Sequence, residues 1–339
     1  MRALKNGKQV VTANKEMIAK EGHDLMELAS AKSLDFQFEG SVAGGIPIIQ
    51  PMKNGLSGNR ISEVMGIING TTNYILTKMT QEHADFATVL AEAQQHGYAE
   101  IDPTNDIEGY DAQYKIAILS SIAFTSRVNV NEVHVEGISR AAKEDFLWAE
   151  ELGYVIKLVG IARREGDNGM QVRVHPTLLP KNHPLASTND VYNAILVRGD
   201  SVGDVMFYGR GAGSGPTGSA VVGDIMDVCR NLKTGSTGRI ACTCFDNKTM
   251  LPFEEVNTRH YLRMRVQDKP KVLASIATVL GNNDISIETV VQKATTDIID
   301  EAEIVWVTHK SLCKNVTKAL KQIKELSVVL EVCNWLIVE

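Results

Sequence analysis

GYAEIDPTNDIEGYDAQYKIAIL, residues 97–119, gathers acids in a turn-rich approach and then sets a lysine inside an apolar-striped helix. Glu100, Asp102, Asp106 and Glu108 lie around Pro103 and Gly109, residues that interrupt regular structure. Asp111 and Lys115 follow, four apart and so on one face of a helix whose stripe continues through Ile118, Leu119 and Ile122. A lysine on the apolar side of a helix is desolvated, which lowers its pKa and suits it to proton transfer, whereas nearby carboxylates oppose that shift. By spacing alone the same pair is also an ordinary solvated i,i+4 ion pair, contributing about 0.3–0.5 kcal/mol.

The composition bounds what surrounds this segment. A chain of 339 residues can bury the cores of roughly two or three domains. Its 44% hydrophobic and 22% charged content, with 27 glycines, describes an ordinary α/β protein and not a disordered or fibrous one. Apolar runs stop well short of the roughly 18 residues a spanning helix needs, and no secretory signal opens the chain, so a membrane is not an expected partner and the cytoplasm is the expected location. The net charge of -6 and the lack of a Lys/Arg-rich block argue against nucleic acid. Five cysteines, an odd number, fit a reducing compartment; Cys242 and Cys244 have no second pair at zinc-binding spacing.

The first forty residues read strand, helix, strand: KQVVTA, EMIAKEGHDLMELASAKS and LDFQFEG. Between about 40 and 205, ISEVMGII, EVHVEGI, YVIKLVGIARR, MQVRVHPTLL and NAILVRG read as strands, and FATVLAEAQQHG as a helix closed by Gly97. NGTTNY falls where a strand gives way to a helix, and offers either an anion-binding helix start or a simple cap. A literal G-x-G-x-x-G at Gly213, Gly215 and Gly218 lacks the ribose-binding acid about twenty residues on and is not the dinucleotide fingerprint. From His260 onward the order strand, helix, strand, strand, helix, strand is ferredoxin-like.

GYAE-x-DP-x-x-D-x-EG-x-DA-x-x-K, with VVTANK at 10–15, FEGSVAGGIPII at 38–49 and GIINGTTNYIL at 66–76, resembles the homoserine dehydrogenase family. DKP-x-VLASIATVLG-x-x-x-ISI resembles an ACT domain, the small amino-acid-sensing module, except that Lys271 stands where such domains usually carry glycine. The resemblance implies α/β and α+β architecture: a partial Rossmann-type nucleotide-binding domain, a mixed-sheet catalytic and dimerisation domain, and a ferredoxin-like ACT domain. Residues 1–40 would be a remnant of the NAD(P)-binding domain, to which 205–235 return. Residues 41–204 would be the catalytic and dimerisation domain, 236–259 a linker and 260–339 the ACT domain. Most of the N-terminal nucleotide-binding segment would then be lacking.

The implied activity is NADP- or NAD-dependent interconversion of L-homoserine and L-aspartate 4-semialdehyde, in threonine, methionine and isoleucine biosynthesis. Carried over by motif, Lys115 would donate the proton to the developing alkoxide, and Lys15 would polarise the carbonyl where cofactor and substrate meet. Glu100 and Asp111 would hold the substrate's amino group and hydroxyl, with Tyr98, Asp106, Gly70 and Thr71 lining the same pocket. Gly213 would approach the cofactor. A structural sodium ion would be ligated at Glu39, through its backbone or side chain, and by carbonyls of Val42, Gly44 and Ile46, although a tight turn explains that glycine pair equally well. A homodimer or homotetramer and an amino-acid effector such as threonine complete the expectation. The alternatives are a truncated, non-catalytic amino-acid-binding regulatory fragment and a reductase acting on a related aldehyde.

Overall fold

The structure, a computed structural model, describes residues 1–240, 242–294 and 300–339. Parts of the expected linker, at 241, and of the expected ACT domain, at 295–299, therefore lie outside the described residues.

The chain opens with a short helix α1 (Arg2–Lys5), strand β1 (Val10–Val11), helix α2 (Lys15–Ala31) and strand β2 (Phe36–Gln37). β1 and β2 pair in parallel, Val10 against Phe36, with α2 as the crossover between them. Asn14 caps α2 by accepting from the Met17 amide at 3.0 Å, which fixes where Lys15 emerges.

The sheet of the expected catalytic domain is built from β3 (Ile61–Ile67) onward. Helices α3 (Gly70–Glu82), α4 (Phe86–Gln95), α5 (Thr104–Ile107) and α6 (Tyr110–Ala123) follow it. Strand β4 (His134–Val135) and helix α7 (Lys143–Glu151) precede the long hairpin of β5 (Tyr154–Glu165) and β6 (Gly169–Pro180). β7 (Tyr192–Gly199) and β8 (Gly203–Arg210) form the far edge, and helix α8 (Ser214–Thr234) runs back to the first unit. There the Asp224 carboxylate accepts from the Glu39 amide at 2.9 Å, and Asn231 donates to Asp35 at 3.1 Å. EVHVEGI contributes only the two residues of β4 as strand, because the chain turns at Gly137, which packs closely on Ile107 and Glu108, and the Ile138 amide donates to the Ile107 carbonyl.

The rest of the chain comprises β9 (Thr249–Met250), β10 (Asn257–Gln267), α9 (Val272–Asn282), β11 (Ile287–Ala294), β12 (Glu301–Thr308), β13 (Ser311–Leu312), α10 (Cys313–Lys324) and β14 (Val329–Val338). Strand order β11-β12-β10-β14, antiparallel throughout, is the ferredoxin-like sheet. Val272, Ile276 and Leu280 on α9, four apart, and Val316, Leu320 and Ile323 on α10 close over it with Trp306 in a core of its own.

The two sheets are one. β14 pairs in parallel with β6, Ile337 against Thr177 and Val338 against Leu178, giving a continuous order β11-β12-β10-β14-β6-β5-β3-β7-β8. The same edge of β6 pairs with β9 at Gly169 and Met170, with β4 at Arg173 and Val174, and then with β14. Within the expected linker, residues 249–253 are docked on this sheet. Thr249 and Leu251 donate backbone hydrogen bonds to Asn168 and Met170, and Phe253 stacks on His134 at 3.6 Å.

Candidate active site

Two glycines bring the functional elements together. Gly109, at φ +82° in the left-handed region, turns the chain from α5 into α6; a Cβ there would sit 3.0 Å from Val135. Gly44, at φ +39°, lets the 43–45 loop touch the loop after β8, since a Cβ would lie 2.7 Å from the Gly211 carbonyl oxygen.

α6 then presents Asp111 and Lys115 toward the sheet, both buried. Asp111 is the hub. Its Oδ2 accepts from Lys115 Nζ at 2.6 Å and from Asn69 Nδ2 at 2.8 Å, and its Oδ1 faces Lys15 Nζ at 2.8 Å. Lys115 also donates to the Ile68 carbonyl at 2.8 Å. Burial pushes the Asp111 carboxyl up, but the two ammonium groups outweigh it and hold the pKa at about 2. Burial likewise works against the Lys15 ammonium, yet Asp111 beside it, with Asp106 and Glu100 beyond, keeps its pKa above the usual value. Asp106 is shifted the other way: burial raises it despite the 2.6 Å hydrogen bond from Asn69.

These groups line a cleft of about 540 Å³ together with Gly70, Thr71, Tyr98 and Gly213. Thr71 Oγ1 donates to the Tyr98 carbonyl at 2.7 Å, tying the start of α3 to the turn after α4. Glu100 is exposed outside the lining and reaches the site only through its charge. The sequence reading passed over Asn69, whose Oδ1 caps α3 at Thr72 while its amide nitrogen joins Asp106 to Asp111. Its position directly before GTT was a cap signal that carried this information. Arg210, exposed at the cleft wall with its guanidinium 5.9 Å from the Tyr192 ring centroid, gave no local signal.

The same cleft is also lined by Gly40, Gly44, Gly211, Ala212 and Gly213, with Gly213 at φ +113°. The expected cation site fits only in part. The Glu39 carboxylate accepts from the amides of Ile48, Ile49 and Gln50 at 2.6, 2.8 and 2.7 Å, so its side chain caps the following turn and is not free to ligate. Among the described residues no group of three or more His, Cys, Asp or Glu is arranged to hold a metal ion. Nor is any helix there long and apolar enough to cross a membrane.

The profile of the Homoserine dehydrogenase family matches residues 47–226, and that of the ACT domain matches 260–328. The chain is similar to the homoserine dehydrogenase of Neisseria gonorrhoeae, 44% identical over 336 residues, covering 97% of this chain and 76% of that relative. It is similar to the crystal structure of a homoserine dehydrogenase from Thiobacillus denitrificans, at 45% identity and a TM-score of 0.94, covering 100% of this chain and 78% of that one. A hyperthermophilic archaeal homoserine dehydrogenase in complex with NADPH matches at 31% identity and a TM-score of 0.59, over 68% of this chain and 66% of that one. The expectation that most of the N-terminal nucleotide-binding segment is lacking is not borne out by relatives that align over 97% of the chain, and their activity favours the enzyme over a non-catalytic fragment. The chain belongs to the homoserine dehydrogenase family, NAD(P)-dependent oxidoreductases that interconvert L-homoserine and L-aspartate 4-semialdehyde in amino-acid biosynthesis, and it carries an ACT domain.

Proposed function

We propose that Lys115 holds the proton delivered to the substrate oxygen and that Lys15 polarises the same oxygen. The observation that carries this reading is the single buried carboxylate of Asp111 lying between the two ammonium groups. NAD(P), when bound, supplies or accepts the hydride. The protein's part is to position the substrate and to move one proton. Asp111 holds both ammonium groups on one carboxylate, and Asn69 hydrogen-bonds the same carboxylate and so fixes its orientation. Asp111 and, from the rim, Glu100 hold the substrate's amino group and hydroxyl, with Asp106, Gly70, Thr71 and Tyr98 lining the same pocket.

Gly213 belongs to the cofactor side of the cleft. A sodium ion would have only backbone oxygens of Glu39, Val42, Gly44 and Ile46 to bind it, in a structural role. The cysteines, free among the described residues, suit a cytoplasmic setting. A homodimer or homotetramer, and a small amino acid such as threonine as effector, complete the proposal.

The test is reduction of L-aspartate 4-semialdehyde with NADPH and with NADH. Lys115→Ala lowers kcat by roughly 10²-fold or more, the usual contribution of a positioned proton donor. Undiminished reduction by that variant removes Lys115 from the role. Lys15→Ala, which leaves the donor in place, shows the smaller loss.

A further inference from the structure

The joint between the catalytic sheet and the ACT domain is not closed. A cleft of about 520 Å³ opens there, with β14 and α10 on one side and β4 with the Glu108–Tyr110 turn on the other. Its walls carry both signs of charge: Glu108 from the catalytic turn, Arg140 from the segment after β4, and Lys324 from the end of α10. Among the described residues no side-chain hydrogen bond or salt bridge engages Glu108, Arg140 or Lys324, although the Arg140 charge acts on Glu136, which lines the same cleft. Ile156 and Leu336 supply an apolar surface beside them.

The cleft is rigidly joined to the active site. The Ile138 amide donates to the Ile107 carbonyl at 2.7 Å, and a Cβ on Gly137 would meet that oxygen at 2.2 Å and Glu108 Cα at 2.5 Å. The strand end at 135–137 and the 107–109 turn therefore move together. That turn lies between Asp106, directly before it, and Asp111, two residues after it, the two carboxylates that Asn69 joins in the active site.

We propose that this interdomain cleft binds a small zwitterionic α-amino acid, its ammonium at Glu108, its carboxylate between Arg140 and Lys324, and its side chain against Ile156 and Leu336. The proposal rests on the amino-acid effector reading above and assigns the effector a place between the domains instead of within the ACT loops. Occupancy alters the set of the 107–109 turn, and so the positions of Asp106 and Asp111. Because coupling is reciprocal, substrate in the active site changes effector affinity by the same factor.

Titration calorimetry on the full chain with L-threonine, L-isoleucine and L-methionine, paired with turnover, tests this. Arg140→Ala and Lys324→Ala are expected to weaken binding roughly tenfold each, the loss of one charge-assisted hydrogen bond, with basal turnover unchanged. Asp268→Asn, at the hollow by the β10–α9 loop, is expected to leave binding intact. Unchanged affinity in the Arg140→Ala/Lys324→Ala double variant, with loss in Asp268→Asn, overturns the interdomain site while the effector reading stands. No binding of any of the three amino acids to the unaltered chain overturns both.

Discussion

Two buried aspartates organise this molecule, and they do different work. Asp111, on α6, gathers Lys15 and Lys115 at the floor of an open cleft. Asp145, on α7, gathers the ACT domain: its Oδ1 accepts from Arg263 Nε at 2.6 Å and Tyr261 Oη at 3.1 Å, and its Oδ2 from Asn334 Nδ2 at 2.7 Å. Glu303 completes that joint, accepting from Arg263 Nη1 at 2.7 Å and from the Trp148 indole. The choice of cation separates the two. Arginine stays protonated and offers a planar fork, which suits a permanent joint; lysine is a mobile point charge that can give up a proton. Access separates them too, since Asp145 is fully buried while the Lys15 side chain is 41% exposed to the cleft.

The largest effects come from removing each hub. Asp145→Ala leaves the Arg263 guanidinium buried without its main partner and is expected to cost about 3–5 kcal/mol of stability, measured by chemical denaturation. The folded fraction should keep most of its turnover. Asp111→Ala is expected to do the reverse, with turnover falling roughly 10²-fold and a smaller stability loss because cleft water reaches Lys15. If Asp145→Ala abolishes turnover in protein that is still folded, the division between joint and engine is wrong.

A second seam sharpens the same contrast. Glu339 accepts from Arg173 Nη2 at 2.9 Å and from Arg163 Nη2 at 2.6 Å, just where β14 joins β6, and Arg173 is 1% exposed. Burial pushes the Glu339 carboxyl up, but the two guanidinium groups hold it below its usual range. Glu339→Gln is expected to cost about 2–3 kcal/mol, the scale of a charge-assisted hydrogen bond lost in a buried site, with turnover retained.

How much of this was legible depends on sequence separation. Asp111 and Lys115 are one helical turn apart, so periodicity alone places them on one face. Lys15 and Asn69 reach the same carboxylate from 96 and 42 residues away, and the first came only through the resemblance. Asp145 and Arg263, 118 residues apart, carry no local signal at all. The strands of the β5–β6 hairpin and the ferredoxin-like order were readable because alternation and β-branched content are local properties. The joining of β14 to β6 was not, because an edge strand does not announce its neighbour. The partners of the Glu39 side chain were hidden for a related reason: a carboxylate beside glycines suits a cation or three backbone amides equally, and only the folded turn brings the amides of Ile48, Ile49 and Gln50 to it.

Acid titration reads the charge of the Asp111 hub. Asp111 is held at about 2, below its unfolded value near 3.8, so its ion pairs stabilise the protein fully above that value and are lost as pH falls through 2. That shift corresponds to about 2 kcal/mol. The stability gap between the unaltered protein and Asp111→Asn should therefore close between about pH 4 and pH 2. A gap that persists at pH 2 would mean that Asp111 acts through packing and not through its charge.

The smallest test concerns cations at helix starts, which the helix dipole disfavours. Lys15 opens α2 and is balanced by Asp111. Lys271 precedes α9 at φ +76°, a backbone conformation that costs a side chain about 1–2 kcal/mol, and among the described residues no carboxylate pairs with it. Lys271→Gly removes both the strain and the misplaced charge. The added freedom of glycine in the unfolded chain takes back part of the gain, leaving about 0.5 kcal/mol of net stabilisation, read as a small rise in denaturation midpoint. Lys15→Gly, by contrast, should lower stability or turnover, since there the awkward cation is matched. If Lys271→Gly is instead destabilising, Lys271 has a partner in solution, and the ACT domain, like the catalytic cleft, uses a lysine at a helix start to hold an anion.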